Sequence, residues 1–117
     1  MEPELEWPPE LDALTAAPGH HRLLLENDTV RVIETLIAAG DTAPVHTHRW
    51  PSVGYVVSGT QIVRRDGDGN VLLDTRVSGD PPQPSDTWWA DPFPPHSVEN
   101  VSDRELRVIM IECKGVS

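Results

Sequence analysis

Prolines and glycines cut this chain into pieces too short for anything but strands and turns. There are 12 prolines and 8 glycines in 117 residues, and they fall between short apolar runs. Proline removes a backbone donor and fixes φ, while glycine supplies the positive φ of tight turns, so many turns and few long helices are expected. From His20 onward the runs are rich in β-branched residues: HRLLLE, TVRVIETLI, SVGYVVS (52–58), TQIVRR (60–65), NVLLDTRV (70–77), TWWA (87–90), HSVENV (96–101) and LRVIMIECK (106–114). Between them lie END, DGDGN, the proline-rich SGDPPQPSD (78–86), DPFPP and SDRE. This is about eight or nine strands at roughly ten-residue spacing, which predicts an antiparallel sandwich or barrel. TQIVRR is expected to return antiparallel on SVGYVVS, with Gly59 at the turn. DGDGN superficially resembles a calcium loop but lacks the downstream glutamate and the helices, so a hairpin turn is expected.

The chain is long enough for one domain with a single core. Residues 1–19 read as an acidic, proline-rich arm, with one short helical stretch at Glu10–Ala17 allowed between Pro9 and Pro18. The domain proper is placed at residues 20–117. Net charge is −10, and five acids (Glu2, Glu4, Glu6, Glu10, Asp12) lie in the first twelve residues, leaving 14 acids against 9 bases beyond them. That balance argues against nucleic acid and against an anionic membrane surface, both of which need basic patches. No run approaches the length of a membrane span, and the acidic N-terminus is the opposite of a signal peptide. The single cysteine, Cys113, cannot form an internal disulfide and is expected as a small buried side chain. A cytoplasmic protein is expected.

Function enters with GDTAPVHTHRWPSVGYVVSG (40–59), which holds a histidine pair with metal-ligand spacing. His46 and His48 are two apart, so on a strand both imidazoles leave the same face, from Cα atoms about 6.5 Å apart. Two such rings can converge on one ion at about 2.0–2.1 Å per nitrogen. A third ligand must come from elsewhere, and His96, in PFPPHSVEN, is the candidate. His20 and His21 are adjacent, diverge on a strand and make poor joint ligands. There is no phosphate loop, no GxSxG and no CxxC.

These residues resemble the two cupin motifs. The first reads Gly, five residues, His-x-His, a spacer, Glu, six residues, Gly. Gly40, His46, His48 and Gly59 match it, and Ser52 stands where the glutamate belongs. The second ends in His, three residues and Asn, matched by His96 and Asn100, with Phe93 in place of the turn glycine. The resemblance spans roughly residues 29–113. It implies a jelly-roll β-barrel whose motifs lie on facing parts, with His46, His48 and His96 holding one divalent transition metal (Fe, Zn, Ni, Mn or Cu). Three protein ligands leave positions open, as in a catalytic site. Without the glutamate the ion keeps its full 2+ charge, a stronger Lewis acid that favours an anionic or enolate-type substrate.

Three-histidine iron sites of thiol and diketone dioxygenases are similar, so an iron-type dioxygenase leads. A metal-assisted isomerase or lyase, or a non-catalytic binding module, are the alternatives. Gln61 is a candidate to fill the vacant position or to hydrogen-bond a bound ligand. Trp50, Trp88, Trp89 and Phe93 gather around the motifs as an apolar wall for a small organic ligand. Alternation along TWWA points one of Trp88 and Trp89 inward. Tyr55 and Arg64 are further polar candidates. The pocket is thus drawn from Trp50, Ser52, Gln61, Trp88 and Phe93. Small cupins commonly pair, so a homodimer is expected.

Overall fold

A computed structural model describes residues 7–115. Nine strands form two antiparallel sheets. They are β1 (His21–Glu26), β2 (Val30–Ile37), β3 (Thr42–His48), β4 (Ser52–Ser58), β5 (Ile62–Asp66), β6 (Val71–Asp74), β7 (Thr87–Ala90), β8 (Phe93–Asn100) and β9 (Leu106–Cys113). One sheet has the order β1-β2-β9-β4-β7 and the other β3-β8-β5-β6. The two sheets face each other without closing into a hydrogen-bonded barrel among the described residues, so the expected barrel is a two-sheet jelly-roll sandwich.

Alternation along the strands builds the core. In β9, Leu106, Val108, Met110 and Glu112 are buried, while the residues between them are more exposed. In β2, Arg31, Ile33 and Ile37 are buried in phase. Ile33, Ile37, Ala43, Val56, Ile62, Leu106, Val108 and Met110 form one cluster from both sheets. Each such side chain gives about 1.5–3 kcal/mol on burial, the main term holding the sheets together.

Several sequence expectations are corrected here. β5 does not return on β4: β4 pairs with β7 and β9, whereas β5 pairs with β6 and β8 in the other sheet. The connection at Gly59 is a crossover. A Cβ there would lie 1.8 Å from the Pro82 carbonyl oxygen, so the close approach of the proline-rich loop requires glycine. The strand predicted over 70–77 stops at Asp74, whose carboxylate accepts from Arg76 N at 3.0 Å and caps the short helix α2 (Thr75–Ser78). Cys113 is half-buried rather than buried.

The N-terminal segment contributes to the same fold. A 3-10 turn (Pro9–Leu11) leads into the one-turn helix α1 (Ala13–Ala16), within the predicted 10–17 stretch. Ala13 joins the core cluster and Ala17 is buried. Asp12 bridges Thr47 of β3, so residues assigned to an arm cover one end of the sandwich. The acids at 2, 4 and 6 lie outside the described residues. Among the described residues, no helix is long and apolar enough to cross a membrane.

Candidate metal centre

Strands β3 and β8 are neighbours, and their register sets His46 opposite His96 and His48 opposite Phe93. The three motif histidines therefore lie side by side in one sheet, while the second half of the first motif, on β4, belongs to the other. Bulges on both sides of His46 re-aim these positions. The His46 and His96 rings are 4.4 Å apart between centroids, His46 and His48 5.0 Å, and His48 and His96 5.6 Å.

A fourth imidazole joins them from the other sheet. His21 opens β1 and is the buried residue of that otherwise exposed strand. Its ring lies 4.5 Å from His46 and 5.6 Å from His48. One ligand nitrogen each from His21, His46 and His48 lie within 4.8 Å of one another. The sequence reading gave His21 no function. The available signal was alternation: of two adjacent histidines on a strand, one had to face inward. The missing information was that β1 would lie against β3.

Every ring is held through Nδ1. His21 Nδ1 donates to Ala17 O at 3.0 Å, His46 Nδ1 to Pro44 O at 2.6 Å and His96 Nδ1 to Pro94 O at 2.7 Å. His48 Nδ1 donates to Glu112 Oε2 at 2.9 Å. Carbonyl and carboxylate oxygens can only accept, so each Nδ1 carries a proton and Nε2 is the nitrogen left to bind a ligand. Burial pushes His21 down to about 4, His46 to about 2 and His96 to about 3, so these three are neutral at pH 7. Nε2 of His21 is buried without a hydrogen-bond partner. Imidazoles with their second nitrogen fixed in this way are a donor set that suits a divalent transition metal, and among the described residues the mutually close ligand nitrogens are those of His21, His46 and His48, a group that does not include His96. Rings bound side by side to one ion at about 2.1 Å per nitrogen would have centroids about 4.5 Å apart, close to the spacings here.

Behind His48 runs a buried ionic chain. Glu112 is completely buried; its Oε1 accepts from Arg31 Nε at 2.6 Å, and Arg31 Nη1 and Nη2 donate to Asp12 at 3.0 and 2.9 Å. Burial works against both charges, yet the Arg31 guanidinium holds the Asp12 carboxyl below its ordinary value, and Asp12 and Glu112 together raise Arg31. Arg31, Glu112 and Ser52 stand directly opposite one another across β2, β9 and β4. Thus the strand beside Ser52 supplies a carboxylate, one shell further out than the glutamate of the motif. Sequence reasoning missed it, although Glu112 and Arg31 fall in phase with the inward apolar residues of their strands.

The histidines line a cavity of about 340 Å³ between the sheets, walled by Ile37, Val56, Val98, Leu106 and Met110. Trp88 and Phe93 line it too, and Trp89 points out at 55% exposure. Trp88 fits because its partner across the strands is Gly54, where a Cβ would sit 2.4 Å from the indole. The other pocket candidates lie elsewhere. Trp50 is outside the lining and stacks against Arg31 and Arg49, each 4.9 Å from the ring centroid. Gln61 is bound by the Thr75 hydroxyl at 2.5 Å and lines a separate surface pocket. Ser52 is buried with its Oγ unpartnered, also outside the lining. Tyr55 is 41% exposed. Asn100, the second motif's asparagine, donates to Ile37 O and Arg104 O, closing the β8–β9 turn.

With 19% identity, the chain superposes on a cupin domain from Bordetella pertussis Tohama I at a TM-score of 0.68, over 81% of this chain and 92% of that one. The fold is that of a cupin. An RmlC-like cupin family protein with a double-stranded β-helix fold from Methanocaldococcus jannaschii is similar at 8% identity, TM-score 0.59, covering 80% of this chain and 78% of that. The polyketide cyclase RemF from Streptomyces resistomycificus is similar at 18% identity and TM-score 0.55, covering 80% of this chain and 63% of that. No family model matches the sequence, and no curated protein is significantly similar to it. On the cupin fold, the motif histidines sit beside a further histidine, His21, that neither motif contains.

Proposed function

We propose that this chain is a metal-dependent cupin enzyme acting on a small organic molecule, with His21, His46, His48 and His96 as the ligands of one divalent transition metal. The carrying observation is that four imidazoles from three separate stretches of the chain, each fixed through Nδ1, gather at one apolar cavity. A divalent ion held by four imidazoles supplies Lewis acidity and keeps at most about two octahedral positions open, which suits a metal-assisted cyclase, isomerase or lyase reaction better than joint binding of a chelating substrate and dioxygen. The likeness to a structure described as a polyketide cyclase supports the same order. The chain's own residues provide the rest. Glu112 and the three backbone carbonyls orient the ligands, Trp88 and Phe93 hold a flat apolar substrate, and the sandwich excludes water.

The dioxygenase reading stands second, favoured because, among the described residues, the convergent donors are histidines without a carboxylate. Oxygen uptake in the iron-loaded protein separates the two. Titration of chelated protein with zinc or ferrous ion tests the shared claim. About one ion per chain is expected, with loss of most of it in His46→Ala; equal metal content in variant and wild type would contradict it.

A small-molecule ligand and a homodimer belong to the same proposal, as does a cytoplasmic location. Leu25, Val32, Ile111, Val53 and Trp89 stand directly opposite one another across the outer face of the five-stranded sheet. Leu25 and Trp89 are 52% and 55% exposed, apolar surface that a second copy would cover. Light scattering should give twice the chain mass; a monomer would contradict this part.

A further inference from the structure

Among the described residues, the cavity is lined by one guanidinium, that of Arg64, and it has no ion-pair partner. Arg64 lies on β5 between Leu73 of β6 and Val98 of β8, and its side chain lines the cavity. Its guanidinium carbon sits 5.1 Å from the Phe93 ring centroid, and that ring is 4.9 Å from His96. Among the described residues no carboxylate lies within ion-pair distance of Arg64, and its Nε is buried without a hydrogen-bond partner. The contrast with other arginines is sharp: Arg65 next to it pairs with Glu99 at 2.8 Å, and buried Arg31 has two carboxylates. Burial alone disfavours the charge on Arg64.

A half-buried guanidinium whose Nε is buried without a partner is unfavourable unless an anion completes it. Its fork of donors fits a carboxylate with two parallel hydrogen bonds. The remaining walls, Ile37, Val56 and Met110, suit an apolar body. Two exposed carboxylates, Asp80 and Asp86, line the same cavity and would repel a second negative charge on the ligand. We propose that Arg64 anchors the carboxylate of a small organic monoanion whose apolar body occupies the cavity beside the four histidines. This rests on the cavity being the substrate site, but the guanidinium acts whether or not a metal is bound.

The test therefore uses chelated, metal-free protein, and metal content is measured separately, so failure of the metal centre and failure of the anion subsite are distinguishable. Binding of phenylacetate, neutral phenylacetamide, dianionic phenylmalonate and inorganic phosphate is followed by calorimetry or ligand-observed NMR. Wild type should prefer phenylacetate to phenylacetamide by about 10-fold or more, as expected for hydrogen bonds to a charged group. Phenylmalonate and phosphate should bind more weakly than phenylacetate. Arg64→Met should erase the preference for carboxylate over amide, and Arg64→Lys should retain only part of it. Absence of any carboxylate preference in wild type, including no binding of either probe, would overturn the proposal, as would a preference that survives in Arg64→Met. So would tighter binding of phosphate. The acid-to-amide comparison on wild type decides the matter even where a variant fails to fold.

Discussion

Glu112 shows how much one residue carries in this fold. It is fully buried and shared between His48 and Arg31, so it both orients the His48 ring and neutralises a guanidinium. Glu112→Gln keeps the volume but weakens both interactions; metal affinity should fall by about 10–100-fold, measured by competition with a chelating dye. Unchanged affinity would show that His48 needs no such support. Arg31→Met instead strands the Glu112 charge inside the protein. A loss of about 3–5 kcal/mol is expected in urea unfolding, and a loss under about 1 kcal/mol would mean the chain is not held together by this pairing.

The histidines add a pH dependence at the same scale. His21, His46 and His96 titrate near 6.5 in the unfolded chain but are held at about 4, 2 and 3 by burial. The unfolded state therefore takes up more protons below 6.5. Stability of the metal-free protein should be full above that pH and fall as pH drops from 6.5 through 4, by about 1.4 kcal/mol per pH unit for each such histidine. Unfolding midpoints of chelated protein across this window check it, and a flat profile contradicts it.

Among the elements, β9 was the most legible and the β4–β5 connection the least. In β9, alternation set Leu106, Val108 and Met110 inward, and the same phase continued to Glu112. At the crossover, two neighbouring strand-like runs say nothing about whether they pair or part, since pairing is decided by contacts distant in sequence. The telling residue was Gly59, where the Pro82 carbonyl leaves no room for a side chain. Gly59→Ala should destabilise the protein by about 1–3 kcal/mol in thermal or urea unfolding because backbone, not a flexible side chain, must yield. An unaltered midpoint would mean that the loop 78–86 is not held against it.

At the scale of the whole molecule, the two motifs sufficed to indicate the fold, because His46, His48, His96 and the paired glycines sit at spacings that only certain strand registers satisfy. They were silent on what β1, β2 and β9 of the five-stranded sheet contribute. His21 and Glu112 come from that sheet, and which of its residues meets the motif strands depends on how the sheets stack. Likewise, Trp50 is near His48 in sequence yet packs against Arg31 and Arg49, away from the cavity. Proximity in sequence was a poor guide once the chain changed direction after β3.

The proposed centre stands or falls on four imidazoles sharing one ion. X-ray absorption at the edge of zinc or iron, on stoichiometrically loaded protein, counts imidazole scatterers directly. About four are expected in wild type, dropping by one in His21→Ala and by one in His96→Ala. A loaded centre whose imidazole count does not change in either variant would contradict it, as would protein that takes up no ion at all.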